Sequence, residues 1–407
     1  MESVAPVVEA TASGLHAARA DVRAYWLVFY AMTIIVATGT VPVGMYPTYA
    51  VEFHMSPAAI TLLASATMFG VMVAVPFLGG ISDAVGRRPV LLPALGLAAA
   101  SLVLYVFADG FWLLLAARIV SGFAVGVFTG AATATLADLE PHGDTRRAAT
   151  HASTTSVAGF AIGPIVGGFF VQYGPWPLRL VFVVCLALLV PAFVGIVLMR
   201  ETVTERRPYA WWSPKVSLPP HSGLRLFGLA SLIALCAFMT ASFFQALGPT
   251  IVVHELGVSN RLVASVAVVC FLGTSAVAQL RFRAAPIRRA TTVGLTLLLP
   301  AGLVFVIAAL VHGSLELFVI GALIGGIGQG LVYLGGQGIV ARVAPADERA
   351  GLFSTYFVIV YVTGGATAIS LGIAATHWGL HWPTIVYSAL AIVIALGTAV
   401  VVRRARV

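Results

Sequence analysis

Twelve apolar runs, each near or above the roughly 20 residues a helix needs to cross a lipid bilayer, occupy most of this 407-residue chain. They fall near 24–51, 57–79, 89–108, 111–137, 148–172, 178–199, 226–253, 260–280, 291–311, 314–341, 350–376 and 382–402. Hydrocarbon offers no partner to a backbone amide, so each run is expected to be a helix that satisfies its own hydrogen bonds. The residues between and around them are too few to wrap such a core in water. Only 9% of the chain is charged against 60% hydrophobic, with a mean hydropathy of +1.00, which excludes a water-soluble globular protein.

The three cysteines, Cys185, Cys236 and Cys270, lie inside apolar runs and read as small core residues, with neither a disulfide nor a metal framework. Residues 1–23 lack the continuous apolar core of a signal peptide and are expected to be a cytoplasmic N-terminal tail. A six-helix bundle over 24–199, a polar linker over 200–225, a second six-helix bundle over 226–402 and a short tail over 403–407 complete the expected division.

Basic residues in short loops stay on the cytoplasmic side. With the amino terminus inside, twenty of the 23 Lys and Arg residues obey this rule, so both termini and the linker are expected in the cytoplasm. Arg179 and Arg261, at outer helix ends, and Arg118, inside the fourth run, are the exceptions. The net charge of +8 therefore follows from topology, and nucleic-acid binding is not called for.

The halves resemble each other at an offset of about 203 residues. Pro47-Thr48 recurs as Pro249-Thr250, Phe69-Gly70 as Leu272-Gly273, Gly122 as Gly325, and Asp144-Thr145-Arg146 as Asp347-Glu348-Arg349. Two pseudo-symmetric bundles related by an axis along the membrane normal are the expected architecture.

Between the second and third runs stands Gly79-Gly80-Ile81-Ser82-Asp83-Ala84-Val85-Gly86-Arg87-Arg88, a tight turn with one acid and two bases in the pattern GxxxDxxGRR. Here the chain resembles the major facilitator superfamily, although Ala84 stands where that family usually has a basic residue. The resemblance implies a conformational switch at Gly79, Asp83, Gly86, Arg87 and Arg88, with Asp83 and Arg87 paired near Asp138 at the inner end of the fourth run. Plain positive-inside charge with a turn glycine is the simpler account of the same residues.

The fifth run carries Gly159-Phe160-Ala161-Ile162-Gly163-Pro164-Ile165-Val166-Gly167-Gly168. Its glycines make a flat face suited to close helix contact, and Pro164 should bend the helix. The pattern GxxxGPxxGG is similar to the antiporter motif of the drug/proton exporters of the superfamily. It implies secondary active export of small amphipathic or drug-like molecules, coupled to protons through alternating access. Proton-linked uptake or export of a specific metabolite, sugar or siderophore is the alternative within transport, and a non-transporting membrane sensor the alternative outside it.

Arg118 lies seven residues into the fourth run, about 10 Å below the outer surface. It resembles the basic residue of the RxxxG pattern of the same exporters, here with Gly122. A guanidinium at that depth is expected to face a water-filled cavity or a partner. The first run offers no acid, leaving Glu316 as the first candidate for proton coupling and Asp138 as another, with neither singled out as the carrier. For the cargo, Thr38, Pro42, Met45 and Tyr49 on one face of the first run, with Phe243, Phe244, Gln245, Gln329 and Tyr333, are the expected lining. No HExxH, GxSxG or GxxxxGK pattern suggests an enzyme, and no cofactor or metal is implied. The expected partners are a small-molecule substrate, protons and the lipid bilayer. The resemblance further implies a monomer in a bacterial cell (inner) membrane.

Overall fold

The computed structural model describes residues 5–78, 80–203, 216–345 and 348–405, and among them the chain is helical without a strand. Twelve helices long and apolar enough to cross a membrane run Val22–Glu52, Pro57–Leu78, Arg88–Val106, Phe111–Asp138, Arg147–Tyr173, Leu180–Leu198, His221–His254, Arg261–Phe282, Ile287–His312, Leu315–Val343, Gly351–Trp378 and His381–Arg404. They are numbered here as spans 1 to 12 and form two six-helix bundles. Each begins and ends within a few residues of the corresponding apolar run, because the length of a run is a local property of the sequence.

Spans 1 and 9 break their α-helical pattern beside prolines, whereas Pro76, Pro93, Pro164 and Pro191 lie inside unbroken helices. Span 1 is α-helical to Thr40, tightens to a 3-10 turn over Val41–Met45 and resumes as an α-helix over Tyr46–Glu52, with Pro42 and Pro47 at the two starts. Span 7 carries Pro249, the repeat partner of Pro47, inside its last turns. Span 9 contains a π turn over Gly294–Leu298 just before Pro300.

The bundles meet most closely at one end of their long axes, although Arg283 Nη1 also donates across to Thr150 Oγ1 (3.2 Å) at the opposite end. Call the closely packed end the far end; the opposite, basic end carries Arg87, Arg88, Arg281 and Arg283. At the far end Ala58 N–H donates to Thr376 Oγ1 (3.0 Å), joining spans 2 and 11, and Arg261 N–H donates to Gln172 Oε1 (2.8 Å), joining spans 5 and 8. Gly372 faces Thr61, and Gly44 approaches both Pro164 and Ser265, so glycine supplies the room at both seams. Spans 1 and 7 are consequently enclosed, with 72% and 67% of their central residues buried against 28–56% in the other ten. Toward the basic end the same helices become exposed, as at Trp26 and Leu224.

Candidate functional site

The turn between spans 2 and 3 builds a charged cluster on the basic end of the first bundle. Ile81–Val85 is a single helical turn, and Gly86 leaves it at φ +117°, a left-handed conformation that glycine adopts freely. That turn brings Arg87 back over Asp83: its Nη1 donates to Asp83 Oδ1 (2.5 Å) and to Ser82 Oγ (2.7 Å). Its Nε donates to Asp138 Oδ2 (2.9 Å), and Asp138 also accepts from Thr202 Oγ1 (3.0 Å). Burial disfavours charge on Arg87, but the bonds to Asp138 and Asp83 outweigh it and raise its pKa further. Arg88 is half-buried, and Gly79 lies outside the described residues. The described bonds of the cluster stay within the first bundle and its adjoining linker.

Beside the cluster, in the loop after span 4, Glu140 is almost fully buried and accepts from the amides of His142 (2.7 Å) and Asp144 (2.8 Å). Burial alone would raise its pKa, yet these two amides outweigh it and the carboxyl sits below its usual value. Next to it Tyr25 Oη meets His151 Nδ1 at 2.5 Å, with Trp26 and Phe29 against the same imidazole.

The glycine face of span 5 is turned toward span 1. A Cβ on Gly159 would strike Val36, one on Gly163 would strike Thr40 and the Ala37 carbonyl, and one on Gly167 would strike the Val41 carbonyl. Thr40 Oγ1 donates across this seam to the Gly159 carbonyl (3.2 Å). Gly168 looks toward Ser265 of span 8, and the Pro164 carbonyl meets Gly44 of span 1 across the same seam.

Arg118 is 4% exposed. Its Nη1 donates to the Gly39 carbonyl (2.8 Å) and its Nε to the Leu63 carbonyl (3.1 Å), tying span 4 to spans 1 and 2. Gly39 has a carbonyl to spare because the 3-10 turn that follows would bond it to residue 42, a proline without an N–H. The guanidinium carbon lies 5.7 Å from the centre of the Tyr46 ring, with Tyr105 also close.

Among the described residues no carboxylate lies within ion-pair distance of Arg118, so the expected pairing with Glu316 is not formed. Glu316 is exposed in the first turn of span 10, where an acid suits the helix dipole, and it accepts from Ser314 Oγ (2.7 Å). The half-chain offset gives the height of Glu316 along its helix but not the direction it faces.

The expected cargo lining is mostly packed away. Thr38, Pro42, Met45, Tyr49, Phe243, Phe244 and Gln329 are all buried, and only Gln245 and Tyr333 are half-exposed. Phe244 stacks on Phe271 (4.2 Å between centres), Phe243 packs on Tyr387, Tyr49 Oη points at Met45 Sδ, and Gln329 accepts from Ser275 Oγ. These residues sit where the bundles or their own helices close. The accessible aromatic surface lies nearer the basic end: Tyr333 of span 10 meets Phe238 of span 7 (5.5 Å), which meets Tyr361 of span 11 (5.9 Å), which stacks on Phe357 (6.2 Å). Sequence reasoning passed over these neighbours, although Phe353, Phe357 and Tyr361 recur every four residues and so mark one helix face. A cavity of about 350 Å³ adjoins this wall, lined in part by Phe282, Arg283, Leu334, Gln337 and Phe353.

The profile of the Major Facilitator Superfamily matches residues 27–314 and 230–407. Quinolone resistance protein NorA of Staphylococcus aureus (strain N315) is 26% identical over 176 residues, 43% of this chain and 44% of that protein. Multidrug resistance protein MdtG of Serratia proteamaculans (strain 568) is 37% identical over 135 residues, 33% of this chain and 32% of that protein. The chain thus spans less than half the length of the curated relatives it matches. Among solved structures, a bacterial homolog of the human lysosomal transporter Spinster, inward-facing and unoccupied, superposes with a TM-score of 0.74 at 16% identity, covering 94% of this chain and 97% of that one. The nucleoside transporter NupG gives 0.72 at 12% identity over 95% and 100%.

Proposed function

The chain belongs to the major facilitator superfamily, and from that premise we propose that it exports small amphipathic, drug-like molecules in exchange for protons by alternating access. The observation that carries the reading is the span 5 face: Gly159, Gly163 and Gly167 fitted against span 1, in the pattern similar to the antiporter motif. The names of the matched relatives, a quinolone and a multidrug resistance protein, support the same direction. The aromatic wall of Phe238, Tyr333, Tyr361 and Phe357 suits an apolar cargo with a flat ring, and the cavity beside it offers Gln337 and Arg283 as polar contacts.

Of the two acids considered for coupling, Asp138 takes the role in this proposal. It joins Arg87 directly, so its protonation would remove one of the bonds that hold the guanidinium, whereas Glu316 bonds only to a serine at the far rim. In proteoliposomes loaded with a fluorescent quinolone, a proton gradient directed opposite to the cargo should drive its movement, and Asp138→Asn should lose that response while Glu316→Gln keeps it. Full-rate transport after an ionophore has collapsed the gradient would defeat antiport.

The protein is read as a monomer of the bacterial cell (inner) membrane, and the basic-residue partition supports a basic end that faces the cytoplasm. Single cysteines at Gly110 and Ser217, treated in intact cells with an impermeant maleimide, should react at Gly110 alone. Labelling at Ser217 would reverse the assignment.

A further inference from the structure

The carboxylate of Glu201, three residues beyond the end of span 6, collects four backbone donors. Oε1 accepts from the amides of Arg87 (2.8 Å), Thr202 (3.0 Å) and Val203 (3.0 Å), and Oε2 from that of Arg88 (3.1 Å). Arg88 opens span 3, so two of these donors belong to the helix start, where amides have no partner inside the helix and an anion is favoured. Gly86 leaves the space: a Cβ there would stand 2.7 Å from Glu201 Oε2. The next residue, Thr202, bonds Asp138. Two consecutive linker residues thus hold the backbone of Arg87 on one side and an acid partner of its side chain on the other.

We propose that Glu201 is a positioning residue of the Asp83–Arg87–Asp138 cluster. By clamping the amides of Arg87 and Arg88 it fixes the backbone from which the Arg87 guanidinium reaches both acids at once. The start of the linker between the bundles is thereby part of the switch, and the cluster cannot rearrange without moving it. The proposal gives a structural partner to the switch assumed in the functional reading, but its test needs neither cargo nor proton gradient, so failure of one is distinguishable from failure of the other.

Glu201→Gln keeps the shape and removes the charge. In purified protein, amide hydrogen exchange in the peptide covering residues 84–90 should speed up about tenfold, with no change in peptides at the far end. A helix cap alone would do as much, so the deciding readout is a double-mutant cycle on the melting temperature. E201Q should lower it clearly more in the parent than in an Arg87→Gln background, where only the cap to the backbone amides remains to be lost, and Glu201→Asp should recover part of the loss. Unchanged exchange, or an equal E201Q loss in both backgrounds, would overturn the proposal. Should E201Q not fold, E201D takes its place in both readouts with smaller expected changes.

Discussion

Arg118→Ala is expected to lower the melting temperature and to abolish transport, because the guanidinium pins three helices together in a place water does not reach. Its bonds to the Gly39 and Leu63 carbonyls join spans 4, 1 and 2 at the point where span 1 changes from an α-helix to a 3-10 turn. Removing it leaves the Gly39 carbonyl without a donor, at about 1–3 kcal/mol, in addition to the loss of packing against Tyr46. Arg118→Lys should fold but transport at least about tenfold more slowly, since a single ammonium cannot reproduce a planar fork aimed at two carbonyls. Melting in detergent and counterflow of a fluorescent quinolone in proteoliposomes check both variants. A parent-like melting temperature and rate for the alanine variant would show that the span 1 break stands without the arginine.

Gly372→Leu should shift the protein toward a state in which the far ends of the bundles part. Gly372 abuts Thr61 across the span 11 and span 2 seam, where an added Cβ would stand 2.8 Å from both Cβ and Cγ2 of that threonine. The clash exists only while the seam is closed. Overpacking at about 1–3 kcal/mol corresponds to a population shift of about fivefold to 160-fold. A cysteine replacing Thr38, which is 5% exposed, reports the opening through its maleimide labelling rate. Gly397→Leu serves as the control, because a Cβ there meets nothing within 4 Å. Equal Thr38→Cys labelling in the Gly372→Leu and parent backgrounds would mean that the seam yields by local repacking and plays no part in an alternating cycle.

Much of the architecture was legible in the residues because it rests on local quantities. Run length set the twelve spans. The turn residues Asp83 and Arg87 were named together with Asp138 through a family resemblance, and the structure places the three in contact. The glycines of span 5 declared a flat face through their spacing, though not the identity of the helix against it. Glu201 went unnoticed: it bonds to an amide 114 residues away, and the only hint was an acid at a span end in an otherwise basic stretch.

What the tertiary structure alone decided depends on direction and on closure. The offset between the halves gives heights along the helices, and so it set Glu316 level with the region of Arg118, but the rotation of each helix decides which side chains face, and Glu316 looks outward. Arg118 found backbone carbonyls, which carry no residue identity and cannot be read from composition. The expected cargo residues on spans 1 and 7 are buried because the far ends of the bundles are closed on them, while the accessible rings of Phe238, Tyr361 and Phe357 lie on the open side. Apolar length and proline position are properties of a segment and survive any arrangement of its neighbours. Which face a helix buries, and which half of a cavity is open, follow from how two bundles lean on each other, a balance set by contacts among residues far apart in the chain.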